Sequence, residues 1–348
     1  MSSSIPANVF NALVETLGGV DAIEICQGGL SPCNVWRIES GDSLWALKHF
    51  TKDHYSIERL SDILDYQNFL ASLPLSSTFV PHLHQWKSKS RNSFASIFLQ
   101  PEGYWVAMEW KTGKPLSFAN MTPNQLDAVL NFLDEGYCSL PSKWKCVEVP
   151  SGVKERIAGL ETWRHRIQGL DVGVMRADPM FAYMLDHFHR RAALLSKQIS
   201  AQARPRECGW VMRDVRRDNL LFGESNASDA NQRSLTGVID FASVRMDWPW
   251  FDWVRVLTTN LPTNDVDSWH AAHDSFRRRT NFSLSWSDFA DLAEASLLLS
   301  GMYWLGKQLA GDPLSPDGIT RLQEIVGQLQ GISWRKEDGP REGFWLPR

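Results

Sequence analysis

Up to about Trp110, apolar residues alternate with polar ones in short runs; beyond it they recur at every third or fourth position. No single element type serves both periods, because side chains alternate faces along a strand but return to one face every ~3.6 residues along a helix. AIEIC, NVWRIES and SLWALKHF read as strands, the first pair joined by QGGLSP and the second by GD. SFASIFLQPEGYWVAMEW reads as a hairpin turning at Pro101-Glu102-Gly103. Two helices are predicted among them. ANVFNALVETLGG is ended by Gly18-Gly19, and IERLSDILDYQNFLASL puts Leu60, Ile63, Leu64, Phe69 and Leu70 on one face. After KTGKP, Thr122 caps a helix, Pro123 suits its first position and Gln125 completes a capping box. Leu126, Val129, Leu130 and Leu133 form its apolar stripe. DPMFAYMLDHFHRRAALLSKQIS predicts a second long helix, and the chain from about Phe251 to Leu329 is mostly helical. GWVMR and LTGVIDF are two further short strands. The expectation is an α+β fold of two lobes, a β-rich one over 1–110 and a helical one over 111–348, hinged near Glu109 to Gly113.

Between those last two strands lies a cluster of charge, MRDVRRDN, flanked by apolar residues. Charge held between buried strands marks a site. Asp214 and Asn219 stand as D-x-x-x-x-N, and Asp240 follows in GVIDFAS. Asp214 can accept the proton of an attacking hydroxyl, while Asn219 and Asp240 supply the hard oxygens that Mg²⁺ prefers. Phosphoryl transfer needs this set, because its catalysis is mostly positioning and charge neutralisation. The competing interpretation is a hairpin whose Asn and Asp merely cap turns. D-x-x-x-x-N alone is weak; two motifs in this order, each on an apolar strand, are much stronger. Gly28, Gly29 and Ser31 of QGGLSP can cover phosphates with backbone N–H groups. Lys48 sits on the following strand, where an inward lysine requires a partner; otherwise it is a solvated strand lysine.

These residues resemble the aminoglycoside phosphotransferase and choline kinase-like family, which shares the protein-kinase-like fold. The resemblance runs from about Ile25 to Trp304 and is most specific from Val211 to Leu257. MRDVRRDN is similar to the family's catalytic loop, usually H-G-D-x-x-x-x-N, and IDFASVRMDWPWFD to its metal-binding segment ending in D-P-x-x-D. The resemblance implies an enzyme, an ATP-dependent small-molecule O-phosphotransferase, with ATP and Mg²⁺ as cofactors. It implies Asp214 as catalytic base, Asn219 and Asp240 as Mg²⁺ ligands, and Lys48 on the α/β-phosphates, paired with Glu58, Asp62 or Asp65. Main-chain groups of Glu109, Trp110 and Lys111 would hold adenine, and Asp247 and Asp252 would brace the catalytic loop. Two departures stand out: Met212 replaces the usual His, and Arg213 the common Gly. With the partner of Lys48 unspecified, Met212 also leaves open an alternative, a nucleotide-binding module of the same fold without catalysis. A protein kinase fits less well, because DWPWFD follows Asp240 too closely for a long activation loop.

Arg213, Arg216 and Arg217 surround Asp214, and Arg245 follows Asp240. At 6–8 Å and an effective dielectric near 20, each like-charge pair costs about 2–3 kcal/mol. The expected acceptor is therefore a neutral or anionic hydroxyl compound, such as a sugar, an amino alcohol or a hydroxy amino acid, rather than an aminoglycoside. The opposing interpretation has these arginines paired with Asp218 and Asp247 and turned away. Trp248, Trp250 and Trp253 offer either an aromatic cage or packing.

Composition narrows the rest. The net charge of −4 argues against nucleic acid, and no run of about 20 apolar residues spans a membrane. The five cysteines, Cys26, Cys33, Cys138, Cys146 and Cys208, make no C-x-x-C, and the N-terminus shows no secretory pattern. The expectation is a reduced, cytoplasmic protein.

Overall fold

A computed structural model describes residues 5–26, 33–86, 93–94, 96–116, 121–168, 178–223, 233–260, 270, 273–274, 278 and 285–338. Helix α1 spans Ala7–Leu17, strands β1 to β3 Ala22–Cys26, Asn34–Ser40 and Ser43–Thr51, and helix α2 Ile57–Ala71. Then come β4 (Ser93–Phe94), β5 (Ile97–Gln100), β6 (Gly103–Glu109), α3 (Pro123–Cys138), β7 (Lys145–Glu148), α4 (Ser151–Gln168) and α5 (Pro179–Ala201). The chain continues through β8 (Arg206–Val211), β9 (Leu220–Gly223), β10 (Ser234–Val238), β11 (Arg245–Asp247), α6 (Trp250–Asn260), α7 (Trp286–Leu309) and α8 (Pro316–Asp338). Two compact units form: 1–117, 122–136 and 218–244 in the first, 118–121, 137–217 and 245–348 in the second. The first unit thus takes in α3 up to Gly136 and the β9–β10 hairpin, stretches that a single boundary near Trp110 assigns to the second lobe.

In the first unit an antiparallel sheet runs in the order β1-β2-β3-β6-β5-β4. Strict alternation divides its residues between two cores. Trp36, Ile38, Leu47, Trp105 and Ala107 pack on Val9, Ala12 and Leu13 of α1. Phe50, Val106 and Met108 point the other way, onto Leu60 and Leu64 of α2. Each such aliphatic side chain contributes about 1.5–3 kcal/mol on full burial. The β5–β6 turn falls at Pro101-Glu102, with Gln100 opposite Gly103. The predicted capping box closes α3: Thr122 N–H donates to Gln125 Oε1 at 2.9 Å and Gln125 N–H to Thr122 Oγ1 at 3.3 Å. The β9–β10 hairpin pairs Leu220 with Val238.

The second unit holds the three-stranded antiparallel sheet β11-β8-β7 and the long helices. Asp178 caps α5, accepting from Met180 N–H at 2.8 Å and Phe181 N–H at 3.3 Å. Trp248, Trp250 and Trp253 are at most 2% exposed. The Trp250 ring lies 5.3 Å from Phe289 and 6.1 Å from Trp248. They are core packing, and the cage is excluded. Among the described residues no helix is long and apolar enough to cross a membrane.

Candidate active site

In the first unit the β9–β10 hairpin sets up the two oxygen donors. Asn219 ends a short 3-10 turn, Arg217–Asn219, and its side chain is buried at 5% exposure. Its carbonyl accepts the Ile239 N–H at 2.9 Å, so Asn219 and the residue before Asp240 face each other just past the paired strands. Asp240 adopts φ 63°, a left-handed conformation that Asp tolerates better than most residues. Its Oδ1 lies 2.8 Å from the Lys48 ammonium. Lys48 therefore points inward from β3, on the face of Phe50 and Val106, and is paired.

The pairing differs from the one the family resemblance implies. Glu58, Asp62 and Asp65 all lie on the exposed face of α2. The helix turns Leu60, Ile63, Leu64 and Gln67 inward, and that stripe forces the three acids to the opposite side. Asp240 takes the role instead. The expected adenine-holding stretch is also altered. Glu109 N–H donates to His82 O at 2.9 Å and Trp110 N–H to Leu44 O at 3.0 Å, so both donors are spent within the unit. The Glu109 carboxylate holds the Lys111 ammonium at 3.0 Å. Gly28, Gly29 and Ser31 fall outside the described residues.

Asp214 belongs to the second unit, four residues before the chain re-enters the first at Asp218. The loop carrying it is braced from α6. Asp252, 4% exposed, accepts the Met212 N–H at 2.8 Å and the Arg213 N–H at 2.5 Å. Burial pushes the Asp252 carboxyl up to about 7, against the pull of these two bonds. Met212 itself is fully buried, so packing stands where the resemblance implies a histidine. Arg213 adopts φ 66°, the conformation that explains glycine as the common residue there. Its guanidinium compensates by pairing with Asp247 and with Glu155, the latter at 2.5 Å. Asp247 also accepts N–H groups from Gly152 at 2.9 Å and Trp248 at 2.8 Å. Gly152 is required by this crowding: a Cβ there would sit 2.7 Å from Asp247 Oδ2 and 2.8 Å from Arg213 Nη1. Burial would raise the Glu155 carboxyl, but Arg213 and Arg245 hold it below its usual range.

The loop arginines are thus spoken for. Arg213 has Asp247, as one of the two sequence interpretations required. Arg245 pairs with Glu155 at 2.7 Å, Arg216 with Asp214 at 2.9 Å, and Arg217 with Glu324 of α8. Sequence reasoning missed Arg255, whose Nη2 reaches Asp214 Oδ1 at 3.2 Å. A signal existed: Arg255 is a lone cation in the apolar run from Trp250 to Leu257. Glu155 and Glu324 carried none, since both lie on polar helix stretches far from the motif.

The family model described as phosphotransferase enzyme family, APH, matches residues 22–281. The chain belongs to the APH phosphotransferase family. Its fold is the kinase-like one shared by solved relatives of low identity. A spectinomycin phosphotransferase solved with ADP and spectinomycin is 10% identical at a TM-score of 0.64, covering 97% of this chain and 99% of that one. An aminoglycoside phosphotransferase from Alicyclobacillus acidocaldarius is 17% identical at 0.58, covering 96% and 95%. A microcompartment-associated aminopropanol kinase is 15% identical at 0.57, covering 96% and 99%. No curated protein matches the chain in sequence.

Proposed function

We propose that this APH-family phosphotransferase moves the γ-phosphoryl group of ATP to a hydroxyl of a small molecule in a Mg²⁺-dependent reaction. The observation that carries this reading is the Lys48–Asp240 pair beside Asn219 at the end of the β9–β10 hairpin. An amide oxygen and a carboxylate are the hard donors that suit Mg²⁺, which takes few protein ligands and fills its remaining positions with water and phosphate oxygens. Asn219 and Asp240 would hold the ion, which neutralises phosphate charge when bound. Lys48 pairs with Asp240 and would bind phosphate oxygens. Asp214 accepts the proton of the acceptor hydroxyl as it attacks; Arg216 and Arg255 fix the direction of its carboxylate. The stretch from Glu109 to Lys111 contributes carbonyl oxygens to adenine, its first two N–H donors being engaged. Gly28, Gly29 and Ser31 cover the phosphates on the sequence argument alone.

Nucleotide in solved relatives supports the ATP reading, including ADP in the spectinomycin phosphotransferase. Arg216 and Arg255, both on the Asp214 carboxylate, favour a neutral or anionic acceptor over a polycation. Release of ADP over a library of hydroxyl compounds tests the proposal. Asp214→Ala is expected to lower turnover by about 10²–10⁴, and Asp240→Ala to abolish Mg²⁺-dependent stabilisation by ATP. Undiminished turnover in both variants overturns it. Stabilisation by Mg²⁺-ATP with no turnover on any acceptor would instead support the non-catalytic binding module.

A further inference from the structure

Within the first unit, helix α2 sends a cation to the turn that follows Asp240. Arg59 stands one helical turn before Ile63 and two before Tyr66, on the face that buries both. A half-buried guanidinium on such a face needs a polar partner, because desolvating an unbonded cation is costly. Arg59 Nη2 donates to the Ala242 carbonyl at 3.3 Å. Ala242 is the middle residue of the 3-10 turn Phe241–Ser243, which starts directly after Asp240. The bond falls where the backbone most needs support. Asp240 has φ 63°, and a left-handed residue other than glycine persists only where its surroundings fix it. Upstream the hairpin does so: Val238 N–H donates to Phe79 O at 3.0 Å and Ile239 N–H to Asn219 O at 2.9 Å. Downstream, Phe241 is buried, the turn closes through Val244 N–H to Phe241 O at 3.0 Å, and the Arg59 bond ties it to α2.

We propose that Arg59 is a positioning residue: by holding the Ala242 carbonyl it fixes the direction in which Asp240 presents its carboxylate. The proposal rests on the phosphotransferase reading, in which Asp240 is a metal ligand, and deepens it by giving α2 a part in the site. Lys48 reaches Asp240 Oδ1 directly at 2.8 Å, whereas Arg59 acts on Asp240 through the main chain two residues on. Helix α2 thus serves the site through a cation on the Asp240 turn instead of an acid on Lys48.

Two measurements on the full chain test it, with Arg59→Met, which keeps an apolar stem and loses the donor, and Arg59→Lys, which keeps a charged donor. The first is hydrogen exchange in the protein without metal or nucleotide. In Arg59→Met the Val244 amide should exchange about 10-fold faster, the loss of one hydrogen bond from a charged donor, while the amides of α3 in the same unit keep their wild-type rates. The second is Mn²⁺ affinity with a non-hydrolysable ATP analogue, read by electron paramagnetic resonance. It should weaken about 10-fold in Arg59→Met, and Arg59→Lys should recover most of both effects. Exchange at Val244 that is unchanged, or that rises in step with α3, overturns the proposal. So does Mn²⁺ affinity equal to wild type in an Arg59→Met protein whose turn has loosened, and so does Arg59→Lys behaving as Arg59→Met. Wild type that binds no Mn²⁺ with the analogue, while its turn still depends on Arg59, refutes the phosphotransferase reading and leaves the anchor standing.

Discussion

Replacing Asp252 by Asn should make the protein more stable at alkaline pH while slowing it. Asp252 is buried, and its carboxyl is raised to about 7. In the unfolded chain an aspartate titrates near its ordinary 3.8. Below about pH 4 both states hold the proton. Between about 4 and 7 the unfolded chain releases it and the folded protein retains it, so wild-type stability falls as pH rises through that window and levels off above it. The whole window corresponds to about 4 kcal/mol. Asparagine does not titrate and escapes this loss. Its amide can accept only one of the N–H groups of Met212 and Arg213, which costs about 1 kcal/mol even against the neutral carboxyl. The variant should therefore match wild type near pH 5 and exceed it by about 3 kcal/mol at pH 8.5. Urea unfolding at the two pH values reads the gap directly. Turnover at pH 8.5 should meanwhile fall about 10-fold, because the loop carrying Asp214 loses its charged acceptor. A gap that does not change with pH, or that turns against the variant as pH rises, refutes the reasoning.

Arg213→Gly relieves a left-handed backbone, a gain of about 1 kcal/mol, but strips the guanidinium from Asp247, which is fully buried. The net effect should be a loss of about 2–4 kcal/mol in urea unfolding; a neutral or stabilising result would show that the N–H donors of Gly152 and Trp248 suffice for Asp247. Glu294 of α7 is fully buried and accepts Arg191 Nε at 2.7 Å and Nη2 at 2.9 Å, with His187 Nε2 at 3.0 Å. Glu294→Ala removes the carboxylate shared by Arg191 and His187 and should cost about 3–5 kcal/mol, a loss that Glu294→Gln partly restores; equal stability of all three proteins would contradict this.

Local signals were legible wherever one residue type decides a local geometry. Thr122 and Gln125 announce α3, and the run from Ala22 to Thr51 spells three strands by alternation. Lys48 inward on a strand implied a partner, and it has one. Helix α4 was not expected: its buried residues include only Val153, Leu160 and Ile167 as large apolar side chains, a stripe too thin to register as periodicity. The partners across the fold were the hidden part. Nothing local in the sequence says that Lys48 pairs with Asp240, nor that α4 and α8 deliver Glu155 and Glu324 to the loop arginines. Ion pairing between residues about 60 to 190 apart is set by how the helices pack, so a charge count along the loop overstates its exposed positive charge.

Phosphorus NMR of ATP and Mg²⁺ with a pooled set of neutral and anionic hydroxyl compounds tests the central claim most directly. With wild type, the γ-phosphate resonance should decline as a new phosphate monoester grows in step with ADP, and Asp214→Ala should reduce that ester by about 10²-fold or more. Ester formed equally by both proteins, or ATP consumed to inorganic phosphate with no ester, would contradict it.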